Sequence, residues 1–297
     1  MIPKHEFVET SPRRGYAMVL MLIGSIIISF GGLVVRNIET ADNWQINFYR
    51  SIAFGIAISI VLLFRYGKTG LQQLKGIGLQ GVWAAMLLAC ASISFLQAIT
   101  NTTVAATTFT LSSIPFLTAI MAWLFLGERI GKSTVSTMLI AAVGISLMFV
   151  QGLGSGTLYG NLMAFLCAIG FSSYAIIIRL NRRTEMLPTL ILSNLIIMLV
   201  ALIFSWDNLL ISWSDLLLCF VLGGLLSATV NTLFIIASKH LFAAELTLFM
   251  LLEFTLGPIW VWIFVYEVPT SLTLIGGSIV ILAVFLKSLS ELRKVNI

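Results

Sequence analysis

The chain is 297 residues long, 59% hydrophobic and only 10% charged, with a formal net charge of +5 and a mean hydropathy of +1.05. Soluble domains carry about 25% charged residues, so this composition excludes an ordinary soluble protein. The basic excess does not point to nucleic acid, because Lys and Arg stand singly or in small groups between apolar runs and never line a polar face.

The first fifteen residues are polar. Arg13 and Arg14 then precede a long apolar run that has no small-residue cleavage site, which predicts a retained first helix with a cytoplasmic N-terminus. Apolar runs of about twenty residues follow one another along the chain. They predict spans at 16–36, 45–64, 79–99, 103–126, 133–151, 158–180, 187–206, 214–238, 243–266 and 271–289. Most connections are under about a dozen residues, so consecutive spans are expected to be antiparallel neighbours. Cys90, Cys167 and Cys219 all fall inside apolar runs without metal-ligand spacing and read as packing residues; no metal or cofactor is expected.

The basic residues give the orientation. Lys4, Arg13 and Arg14 precede the first span; Arg65, Lys68 and Lys75 follow the second; Arg129 and Lys132 follow the fourth. Arg179, Arg182 and Arg183 close the sixth, Lys239 the eighth, and Lys287, Arg293 and Lys294 the last. Only Arg36 and Arg50 fall elsewhere, which predicts ten spans with both termini in the cytoplasm of a multi-pass inner-membrane protein.

The run from Thr107 to Arg129 returns from Leu246 to Glu267, 139 residues on, with Trp123 matching Trp262 and Glu128 matching Glu267. This implies duplication. Five helices per half is an odd number, so the two copies, residues 1–152 and 153–297, are expected to be inverted. The predicted fold is therefore all-α and integral to the membrane, two inverted five-helix repeats forming one compact unit, an architecture used by secondary transporters.

Phe95 to Ile130, with Ala105-Ala106, the mid-helix Pro115 and the closing Gly127-Glu128-Arg129, resembles the signature of the drug/metabolite transporter superfamily, EamA-type. Arg50 followed by Ala53, and Ile140 with Gly144, are similar to further marks of that family. The second half departs from it. Phe254 stands after Glu253 where the family often has Pro, and Glu267 lacks the Gly-Glu-Arg context. Within the superfamily the chain is most similar to the YddG-type exporters of aromatic amino acids. The resemblance implies ten helices, an amino acid or other metabolite as cargo, and alternating access without ATP.

Glu253, expected near mid-membrane, reads either as a proton-coupling group, as a partner for a substrate ammonium, or as a packing carboxyl. Glu245 reads as a helix cap. Glu128, Glu267 and Arg50 read as structural groups at helix ends beside water. Trp83, Leu87, Cys90, Ser94, Gln97 and Asn101 recur at helical spacing and predict one inward face on the third span. Ser25, Ser29, Ser172, Tyr174, Ser227 and Asn231 add polar marks on other spans. Trp83, Gln97, Tyr174, Asn231 and Phe249 are the candidate binding residues: the aromatics to stack on an apolar cargo, Gln97 and Asn231 to bind its polar ends. Pro115 and Pro258 are candidate hinges. No Lys or Arg is expected at mid-membrane, which favours a neutral zwitterion over phosphorylated cargo.

Other classes lack their marks. There is no HExxH and no GxSxG, the histidines His5 and His240 lie outside the spans, and Gly127 to Ser133 is one residue short of a phosphate loop, so no enzyme is expected. The alternatives are export of a drug or another metabolite, a channel, or a lipid flippase. The expected partners are a small-molecule amino acid and the lipid bilayer; the sequence leaves the oligomeric state open.

Overall fold

The computed structural model describes residues 12–67, 76–102, 104–128, 131–149, 157–266 and 271–295, and every regular element among them is helical. In chain order these are α1 (Arg13–Arg36), α2 (Asn43–Tyr66), α3 (Gly78–Asn101), α4 (Thr107–Leu126), α5 (Lys132–Phe149), α6 (Leu158–Leu180), α7 (Pro188–Ser205), α8 (Trp213–Ser238), α9 (Ala243–Phe264) and α10 (Ser271–Val295). All but α5 and α10 are long and apolar enough to cross a bilayer; those two carry the shorter apolar stretches Lys132–Met148 and Leu274–Lys287. The chain is a multi-pass membrane protein. Lys4, His5, Lys68, Lys75, Arg129 and Glu267, and the expected junction between repeats at residue 152, lie outside the described residues.

Side-chain bonds gather the helix ends at two opposite faces. At one, Arg14 meets Glu245, Glu128 meets Arg179, and Lys239 meets Glu185. We call this the basic face. At the other, Asp42 caps α2, its carboxylate accepting from the backbone N–H groups of Trp44 and Gln45 at 2.8 Å while Gln45 answers with a bond from the Asp42 N–H. Thr157 and Ser212 cap α6 and α8 there. Buried Asp215 accepts the backbone N–H groups of Glu39, Thr40 and Ala41, which ties the α1–α2 connection to the start of α8.

In the bilayer, apolar surface gives little drive for helices to meet, so close backbone approach matters more. Helix α3 packs along α6, α1 against α8 and α9, α4 against α6 and α9, α2 against α7 and α8, and α5 against α10. The α5–α10 crossing is made by two glycines. A Cβ at Gly144 would lie 2.6 Å from the Gly276 carbonyl oxygen, and one at Gly276 would lie 2.2 Å from that of Gly144.

Two long helices are interrupted. Helix α4 opens at Ser112–Ser113, just before Pro115, which lacks the N–H that would bond the Leu111 carbonyl. Helix α9 opens at Met250, 139 residues after Leu111. Pro258 is not at that opening: it falls within the uninterrupted helical run Leu251–Val265. The hydroxyl of Ser25 donates to the Phe249 carbonyl at 2.8 Å, so the opening in α9 is satisfied from α1. Wide π-helical turns occupy Ala122–Leu126 and Val221–Ser227.

Candidate substrate cavity

The openings in α4 and α9 border a single space. A cavity of about 150 Å³ is lined from α1 by Ile28, from α2 by Arg50, and from α3 by Leu88, Ala91, Ser92 and Phe95. Leu111 and Ile114 of α4, Cys167 and Phe171 of α6, Val230, Asn231 and Phe234 of α8, and Met250, Glu253 and Phe254 of α9 complete it. That volume holds on the order of ten waters, or a metabolite of comparable size. Both expected halves contribute to its wall.

Arg50 is the departure from expectation. It is the eighth residue of α2, about 10 Å along the helix from its start, not a group at the water boundary. Its Nη2 donates to Ser92 Oγ at 2.6 Å and to Asn47 Oδ1 at 3.2 Å. A cation therefore does stand in the membrane interior, contrary to the expectation from the distribution of basic residues. The wide turn in α8 makes room for it: a Cβ at Gly223 would lie 2.0 Å from the Arg50 carbonyl oxygen and 2.9 Å from its Cγ.

Of the candidate binding residues, Asn231 lines the cavity, as does Glu253. The Asn231 amide nitrogen is held by the Ser227 carbonyl at 2.9 Å, while its amide oxygen makes no protein hydrogen bond among the described residues. Tyr174 is fully buried behind the wall, against the rings of Phe171 and Phe234 at 5.6 and 6.0 Å. Phe249 is buried in the core beside the α9 opening. Gln97 bonds with Asn101 near the end of α3, and Trp83 lies 53% exposed on the outside of the bundle. Neither reaches the cavity lining. The cavity face of α3 is Leu88, Ala91, Ser92 and Phe95, turned about one residue, roughly 100°, from the polar stripe expected there.

Sequence reasoning missed Arg50, Ser92, Phe95, Phe171 and Phe234. The spacing of Asn47 and Arg50, one helical turn apart in an apolar run, was the available signal for the first. Aromatic residues in an all-apolar segment carry none.

Toward the basic face the cavity is sealed. Met18, Met21, Ile58, Leu62, Ile178 and Leu246 are fully buried beneath it. Below them Arg179 Nε donates to Glu128 at 2.7 Å and its Nη1 to the Ser238 carbonyl at 2.7 Å, while the other Glu128 oxygen accepts from Ala243 N–H at 3.2 Å. Arg14 pairs with Glu245 at 2.6 Å, and Glu245 caps α9 through the Phe242 N–H, as expected of it. The Arg14 and Arg179 guanidinium groups both lie over the Phe242 ring, 5.4 and 5.7 Å from its centroid. Glu185, on the α6–α7 connection, accepts from the Tyr66 hydroxyl at the end of α2 and from Lys239 at 3.3 Å at the end of α8.

Comparison with known proteins agrees with this architecture. Residues 15–150 match the EamA-like transporter family. The chain is 26% identical over 278 residues to the pseudopaline exporter CntI of Pseudomonas aeruginosa strain PAO1, covering 90% of this chain and 93% of the exporter, and equally to its counterpart in strain UCBPP-PA14. One solved crystal structure shares the fold with a TM-score of 0.78 at 17% identity, over 93% of this chain and 99% of that one.

Proposed function

We propose that this chain, whose first half is an EamA-like domain of the drug/metabolite transporter superfamily, works as a secondary exporter of small zwitterionic metabolites, amino acids or their derivatives. The observation that carries the reading is the cavity itself. It lies between helices of both halves, is bordered by an opening in α4 and an opening in α9, and is sealed toward one face by bonds that join the halves. General export by relatives of this chain supports it, since CntI is an exporter by name. No enzymatic role is proposed.

Ten spans in two inverted repeats accord with the packing. Exchanging each of α1–α5 with its counterpart in α6–α10 leaves the set of major neighbours unchanged: α3–α6 becomes α8–α1, α1–α9 becomes α6–α4, α2–α8 becomes α7–α3, and α2–α7, α4–α9 and α5–α10 map onto themselves. With the basic face in the cytoplasm of the inner membrane, the sealed side is the cytoplasmic one, and the present arrangement is the state that has closed behind its cargo. In the cycle, the basic face opens, cargo enters, the halves rock about the openings at Ser112–Ser113 and Met250, and the cytoplasmic bonds re-form as cargo leaves. Asn231 offers an amide oxygen, and Glu253 a carboxyl oxygen, to an ammonium group; Phe95, Phe171 and Phe234 supply the apolar wall. Exchange of labelled amino acids in proteoliposomes tests the reading.

A further inference from the structure

We infer that Arg50 recognises the cargo, and that it does so by holding a carboxylate; the inference rests on the export reading and names the chemistry of its site. Arg50 is only 8% exposed, yet it lines the cavity. A guanidinium presents five N–H donors in a planar fork and cannot shed its proton in a protein. Among the described residues only neutral acceptors meet it, Ser92 Oγ and Asn47 Oδ1, both at Nη2. Its Nε and Nη1 make no bond among those residues, and no carboxylate there lies within the 4.0 Å of an ion pair. Donors are in surplus around it. Asn47, fully buried one turn away, has its amide nitrogen without a partner.

A buried charge left without an opposite charge is costly, and a bound anion removes that cost. Charge chooses the anion. The Nε–H and Nη1–H donors left free can each bond a carboxylate oxygen, and a monoanion balances one cation. A phosphate dianion would leave excess negative charge in a cavity that also contains the Glu253 carboxyl. The Glu253 carboxyl, without a hydrogen bond among the described residues, is then available for the cationic end of the same molecule. The backbone of Gly223 against Arg50 fixes the guanidinium's helix in place, so the recognition group is positioned before cargo arrives.

The test uses three compounds that share one ring: 3-phenylpropionate, phenethylamine and phenyl phosphate, each added at equal concentration to the purified full-length protein in detergent. Thermal unfolding is followed for the wild type, Arg50→Gln and Arg50→Lys. The expected result is that 3-phenylpropionate raises the wild-type midpoint by at least about 2 °C, that phenyl phosphate does not, that Arg50→Gln abolishes the rise, and that any rise with phenethylamine, which has no carboxylate, persists in Arg50→Gln. Arg50→Lys should keep a smaller rise, since it retains the charge without the fork. No rise with 3-phenylpropionate, or an equal rise in Arg50→Gln, overturns the inference; a larger rise with phenyl phosphate overturns the choice of carboxylate. If Arg50→Gln fails to fold, Arg50→Lys decides, a rise equal to that of the wild type overturning the inference. Because binding is read without transport, a protein that binds the carboxylate but exchanges no amino acid refutes the export reading and leaves the role of Arg50 standing.

Discussion

Gly127 and Tyr266 stand 139 residues apart and end α4 and α9 in the same left-handed backbone conformation, with φ of 64° and 60°. Glycine adopts it freely, whereas a residue with a Cβ pays about 1–2 kcal/mol. Tyr266 is the one residue other than glycine with positive φ among those described. The two helix ends therefore share one shape, although only the first carries the residue that makes that shape easy.

Tyr266→Gly should raise the stability of the protein by about 0.5–1 kcal/mol, the relieved strain less the extra freedom of glycine in the unfolded chain. Gly127→Ala should lower it by about 1 kcal/mol or more. Unfolding in detergent by denaturant titration checks both, and a destabilised Tyr266→Gly variant would contradict the strain argument.

The Glu128–Arg179 pair is buried on both sides, with side-chain exposures of 7% and 2%. Glu128→Gln removes the buried negative charge that Arg179 meets and should cost about 3–5 kcal/mol. Replacing both by well-packed apolar residues should cost much less, because no lone charge remains. A double-mutant cycle on thermal stability separates the two outcomes.

Much of the fold was legible because a bilayer enforces simple rules. Span positions follow from apolar runs, and the shared face of Arg14, Arg65, Arg179, Lys239 and Lys287 follows from the alternation of basic loops. The interruptions were only half legible. Pro115 marks the one in α4, but Met250 opens without a proline, and Pro258, which attracts attention in the sequence, lies two turns further along an unbroken helix. The cavity was the least legible part. Asn231 and Glu253 reach it, but Trp83 and Gln97 do not, because a rotation of one residue on α3 moves the inward face from the polar stripe to Leu88, Ser92 and Phe95. Hydrophobic pattern is nearly blind to such a rotation in a helix that is apolar on every side.

Glu185 predicts a pH dependence. Burial alone would raise its pKa, but the hydrogen bond from Tyr66 and the charges of Lys239 and Arg65, with the Leu187 N–H, outweigh it and hold the carboxyl below its ordinary value. A depressed folded pKa contributes stability above the unfolded pKa, about 4.3, and that contribution is lost as pH falls through the folded value. The stability difference between wild type and Glu185→Gln should thus be flat from about pH 8 to 6 and shrink below about pH 4. A difference that changes near neutral pH would contradict this account of the α2–α7–α8 contact.

Gly223→Ala places a methyl group where the Arg50 backbone lies, 2.0 Å from its carbonyl oxygen. One helix must move, at a cost of about 1–3 kcal/mol, and Arg50 is displaced from the cavity wall. Exchange activity should fall at least about tenfold even at temperatures where the variant stays folded. Full activity in a folded Gly223→Ala protein would show that the position of Arg50 is unimportant.

The most direct measurement is counterflow of labelled phenylalanine, tryptophan, threonine and a nucleotide-sugar into proteoliposomes without an ion gradient, for the wild type and Glu253→Gln. The account predicts accelerated exchange of one or more amino acids and none of the nucleotide-sugar; activity in Glu253→Gln would show that this carboxyl is dispensable for exchange. Failure to exchange every amino acid, or exchange of the nucleotide-sugar alone, would contradict export of small zwitterions through this cavity.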